Sequence, residues 1–106
     1  MWIIITTASE RIGLGHLVRC STIRDAVGSA YCRLYIISDW SKDKINNYIH
    51  GDNIFIASSV DTISFCENIK HQKVLIDVET VPESLLLAYI VISFDDVKLF
   101  SKVTLK

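Results

Sequence analysis

Trp2-Ile3-Ile4-Ile5-Thr6-Thr7, then Ala8-Ser9-Glu10-Arg11-Ile12-Gly13-Leu14, then Gly15-His16-Leu17-Val18-Arg19-Cys20 is the stretch on which the fold turns. The first six residues form an unbroken apolar and β-branched run, too short for a helix and without alternation. A strand buried on both faces reads this way. The polar, glycine-bearing loop leads into a segment where Leu17, Cys20, Ile23 and Val27 recur every three or four residues and stop at Gly28, which predicts a helix with a C-terminal glycine. Strand, loop and helix in this order open a parallel α/β unit, with Trp2 to Thr7 at its centre.

The same alternation continues outward. Arg33 to Ser38 predicts a second strand, and Ser41 opens a short helix carrying Ile45, Tyr48 and Ile49 before Gly51. Asn53 to Ala57 predicts a third strand. Ser58 with Asp61 forms a capping pair for a helix striped by Val60, Ile63, Cys66 and Ile69. Lys73 to Asp77 is the fourth strand. Thr80, Pro82 and Glu83 signal another helix, and Ile90 to Phe94 is the fifth strand. Residues 98–106 offer a further candidate strand. The expected fold is a single α/β domain over residues 1–106, a Rossmann-like parallel sheet with right-handed crossovers and helices on both faces.

Composition narrows the function. The chain has 106 residues, half of them apolar and 22% charged, and its mean hydropathy is +0.34. That balance excludes intrinsic disorder and supports one core, leaving no room for a second. Eleven basic and twelve acidic residues give a net charge of −1, so no global field favours nucleic acid. All four arginines (Arg11, Arg19, Arg24, Arg33) lie in the first third, which points to a local anion site there. The longest apolar runs, such as Leu85 to Phe94, fall short of the ~20 residues that span a bilayer. A cytoplasmic protein without a membrane span is expected. Cys20, Cys32 and Cys66 are odd in number and widely spaced, the pattern of reduced core thiols.

Ligands of an open parallel sheet bind beyond the carboxyl ends of its strands. At that edge the sequence gathers Ser9, Glu10, Arg11, Gly13, Gly15 and His16 after strand one, Asp39 where strand two ends, Asp77 where strand four ends, and Asp95 and Asp96 where strand five ends. Asp39 and Asp77 read first as turn formers or helix caps. Gly13 and Gly15 allow backbone N–H groups to approach a sugar or phosphate at a helix N-terminus. The loop lacks the Gly-Lys-Ser/Thr of a phosphate-binding Walker loop and the third small residue of the full dinucleotide fingerprint, so no nucleotide cofactor is implied. His16 stands at the positive end of the helix, which favours a neutral ring able to accept a proton. The plainer alternative is that His16 caps the helix and Arg19 pairs with an acid on its own helix face. His16 and Cys20 lie four apart, but His50 and His71 fall at helix ends, and a metal site is disfavoured.

Gly13-x-Gly15-His16-x-x-Arg19-Cys20, followed by Thr22-Ile23-Arg24-Asp25-Ala26-Val27, resembles the GxGHxxRCxxLAxAL stretch of the nucleotide-sugar hydrolases of pseudaminic acid synthesis, shared with spore-coat-polysaccharide-type proteins. Ile23-Arg24 stands where that stretch has Leu-Ala. The resemblance covers nearly the whole chain, including an apolar strand that ends in an Asp-Asp pair like Asp95-Asp96. It implies the acceptor-side half of a GT-B fold. His16 would then activate water or an acceptor hydroxyl against a UDP-sugar, and Gly13, Gly15, Arg19, Asp95 and Asp96 would bind the substrate. Since the second GT-B half mainly holds the nucleotide diphosphate, the resemblance also implies a partner half on another chain, as in the split GlcNAc transferase of N-glycan assembly, or a homodimer. A non-catalytic binding or regulatory module and a truncated fragment are the alternatives.

Overall fold

The computed structural model describes residues 1–59, 62, 63, 67, 72–78 and 90–93. Five strands form one all-parallel sheet: β1 (Trp2–Thr7), β2 (Cys32–Ile37), β3 (Ile54–Ala57), β4 (Lys73–Asp77) and β5 (Ile90–Ser93). Their order is β3-β2-β1-β4-β5. The chain therefore winds outward from β1 to β3 and then returns to the other side of β1, which makes the β1–β4 boundary the point where the winding reverses.

β1 sits at the centre because both of its faces are apolar. Ile3 and Ile5 join Tyr35, Ala57, Ile63, Val74 and Ile76 on one side of the sheet. Ile4 joins Leu17, Cys20, Leu34, Ile36 and Ile45 on the other. Helices α1 (Gly15–Val27) and α2 (Lys42–Asn46) cover this second face, while Ile63, in a helical pair with Thr62, covers the first. The α/β parallel sheet expected from the alternation is thus present. The helix signalled by Thr80, Pro82 and Glu83 lies outside the described residues, as do Val60, Asp61, Cys66 and Ile69 of the helix expected from Ser58, Phe94, Asp95, Asp96 and residues 98–106.

Local chemistry moves several boundaries. Ser41 caps α2 as expected, its Oγ accepting from the Lys44 N–H at 3.2 Å. Tyr48, expected on the buried face with Ile45 and Ile49, is half exposed. β3 starts at Ile54 rather than Asn53, because Asn53 turns into the left-handed region (φ 59°), which asparagine tolerates.

The buried stripe of α1 also differs from the apolar periodicity. It consists of Leu17, Cys20 and Arg24, whereas Val27 is 43% exposed. Arg24 retains only 2% of its surface and donates to the carbonyl oxygens of Asp52 (2.6 Å) and His50 (3.5 Å). It pins the loop between α2 and β3. Gly51 permits this approach: its φ is +124°, and a Cβ there would fall 2.7 Å from Arg24 Nη2. Arg24→Ala should cost about 2–4 kcal/mol in urea unfolding, from lost packing and two orphaned carbonyls. Gly51→Ala should cost about 1–3 kcal/mol through strain at a positive φ. Wild-type stability in both variants would contradict this anchoring.

Candidate functional site

At the reversal point the register sets Thr6 of β1 beside Asp77, the last residue of β4. β1 then runs into a tight loop, in which Gly13 N–H donates to Ser9 O (2.7 Å) and Ile12 N–H to Ser9 Oγ (3.1 Å). Gly13, at φ +80°, makes the turn that such a closure requires. The chain then enters α1, where no side chain caps the N-terminus.

His16, Arg19 and Cys20 follow at helical spacings of three and four, which brings them to one side of α1. All three reach Asp77. His16 Nδ1 lies 2.7 Å from Asp77 Oδ1. Arg19 donates through Nε to Oδ2 (2.7 Å) and through Nη2 to Oδ1 (2.5 Å). The Cys20 thiol donates to Oδ2 at 3.7 Å. Asp77 is fully buried, His16 is 20% exposed and Arg19 44%. A buried carboxylate is tolerated only when its charge is matched and its lone pairs are occupied, and a two-point guanidinium fork does both.

Burial pushes the Cys20 thiol up to about 12; the Asp77 carboxylate adds to the rise, while the Thr6 hydroxyl and Arg19 oppose it. Cys20 is therefore a protonated donor to Asp77 and not a thiolate nucleophile.

The structure brings together His16 and Arg19, both singled out in the sequence, and sets Gly13 and Gly15 at the turn and helix start beside them. A Cβ at Gly15 would meet nothing within 4 Å. Asp95 and Asp96 lie outside the described residues. The alternative in which Arg19 pairs along its own helix does not hold, since its partner stands 58 residues away on β4. Nor does His16 cap the helix. Asp77 reads in the sequence as one of the polar groups at the ligand edge and first as a turn former or cap, yet it is the residue on which the others converge. Its signal is positional: it ends the strand that must neighbour β1 if the winding reverses there. Among the described residues, no group of three His, Cys, Asp or Glu side chains is arranged so that it could hold a metal ion, and no helix is long and apolar enough to cross a membrane.

An open cleft of about 550 Å³ adjoins the same loop, lined by Thr7, Ser9, Glu10, Arg11, Ser38 and Asp39 among others. Asp39 is exposed here. Glu10 bridges to Lys44 of α2 at 2.6 Å. This contact holds the Glu10 carboxyl below its ordinary range and the Lys44 ammonium above its own. Comparisons with protein-family models, with curated proteins and with solved structures return no match to this chain.

A thiol raised from 9.0 to about 12 in the folded state contributes stability that is complete below about pH 9 and lost as the pH climbs toward 12. Iodoacetamide at pH 8 should therefore leave Cys20 unmodified in the native chain and modify it in urea, read by peptide mass spectrometry. Rapid native modification would place Cys20 in a different environment.

Proposed function

We propose that this chain is the acceptor-side domain of a nucleotide-sugar hydrolase or glycosyltransferase, with His16 as the base. The observation that supports this reading best is the anchored imidazole at the sheet's reversal point, on a helix that follows the loop whose residues Ser9 to Ile12 line an open cleft. The sequence resemblance around Gly13, Gly15, His16 and Arg19 suggests the substrate class. In the reaction, His16 takes the proton of a water or acceptor hydroxyl as its oxygen bonds to the anomeric carbon. The bond from that carbon to the diphosphate breaks, and its electron pair leaves with the nucleotide. The nucleotide diphosphate falls to a second half on another chain, or to a second copy of this one. Ser9, Arg11 and Asp39 line the cleft that would take the sugar, and Gly13, Gly15, Arg19, Asp95 and Asp96 are the substrate-binding residues that the resemblance implies.

One half of such a site binds weakly, so the test is ligand-observed and amide-shift NMR on the labelled chain with UDP-N-acetylhexosamines at roughly millimolar concentration. The amides of Gly13, Gly15, His16 and residues 37–39 should shift. No shift, or shifts confined to the far edge of the sheet, would overturn the reading. With a nucleotide-binding half present, His16→Ala should lower turnover by ~10²- to 10⁴-fold, while costing no more than about 1–2 kcal/mol of stability. Binding that His16→Ala leaves intact, with no turnover under any condition, would mark a binding module instead.

A further inference from the structure

Resting on the reading of His16 as a base, we infer that Asp77 is its positioning residue: the carboxylate at the end of β4 keeps the proton of the His16 ring on Nδ1, so that Nε2 alone exchanges protons, and Arg19 clamps the carboxylate in the orientation that does this. The argument begins with donors and acceptors. An ionised carboxylate only accepts, so an imidazole nitrogen 2.7 Å from Asp77 Oδ1 must carry hydrogen. A neutral ring has one N–H, and with it on Nδ1 the lone pair belongs to Nε2. A protonated ring carries hydrogen on both nitrogens, and Nδ1 still donates. Through the whole proton cycle Nδ1 is unchanged.

The clamp follows from the fork. Arg19 Nε holds Oδ2 and Nη2 holds Oδ1, so both carboxylate oxygens are engaged in one plane and the group cannot rotate away from His16. Cys20 adds a donor to Oδ2. Asp77 itself is fixed by the β1–β4 ladder, where it pairs with Thr6, whose Oγ1 donates to the Asp77 carbonyl at 3.4 Å. The ring is thus oriented by the centre of the sheet, across 61 residues of sequence. Arg19 acts on the ring through Asp77.

The test is long-range ¹H–¹⁵N correlation of the His16 ring nitrogens in the full chain, at a pH where the ring is neutral. In the wild type Nδ1 should show the pyrrole-type shift of a protonated nitrogen and Nε2 the pyridine-type shift. Asp77→Asn keeps the shape but supplies an amide that can donate, so Nε2 should lose its pyridine-type shift. Arg19→Lys keeps the charge and loses the fork. At its half-exposed position the domain should stay folded, with the two His16 nitrogens shifted toward each other. A wild-type ring protonated on Nε2 would overturn the inference, and so would a folded Asp77→Asn variant with an unchanged Nδ1–H signature. If Asp77→Asn does not fold, the wild-type and Arg19→Lys spectra decide alone. The correct tautomer in a chain whose site no UDP-sugar perturbs would remove the proposed function and leave the role of Asp77 in orienting the ring intact.

Discussion

A carboxylate without solvent-accessible surface ends the strand beside the centre of the sheet, and the architecture around it follows from the need to match its charge. Burying one such charge costs several kcal/mol even after relaxation. Asp77 recovers this from three side chains of α1: the Arg19 fork, the His16 ring and the Cys20 thiol. α1 belongs to the β1–β2 side of the winding, where Leu17 and Cys20 join the core with Leu34 and Ile36. Asp77 ties it across the reversal point to β4. The interaction that neutralises the buried carboxylate at this edge of the sheet is therefore the one that anchors the imidazole there.

Energetic weight within the cluster is uneven. Arg19 keeps 44% of its side chain in solvent, so screening places its contribution toward the lower end of what buried pairs provide. Glu10–Lys44, with both partners exposed, is a positional link rather than a stabilising one. Its place matters more, because the same loop that supplies Ser9 to Ile12 to the cleft wall leads into His16. One short segment thus connects the space for a ligand to the group that would act on it.

Most of the strand framework was legible from residue type alone. β1 and β4 coincide with the ranges expected from their apolar runs, β2 shifts by one residue and β3 loses its first. The shift at β3 reflects the backbone of Asn53, which no periodicity argument contains. Arg24 shows a deeper limit. A long cation on an apolar helix stripe reads as exposed, and only the fold reveals that two loop carbonyls beside Gly51 receive it. Asp77 shows another. An acid after a strand is usually a turn former, and its role depends on which strand lies beside β1, a fact of topology and not of local pattern. His16 and Arg19 were legible because the glycines and the helix start mark their setting; their common partner was not.

The most direct measurement is a double-mutant cycle between Arg19 and Asp77, with Arg19→Met, Asp77→Asn and the pair compared by urea unfolding. If the buried carboxylate organises this edge of the sheet, the two positions should couple by about 1–3 kcal/mol, with either single change costing nearly as much as both. Effects that add within about 0.5 kcal/mol would show independent positions, and Asp77 would then not be the centre of the site.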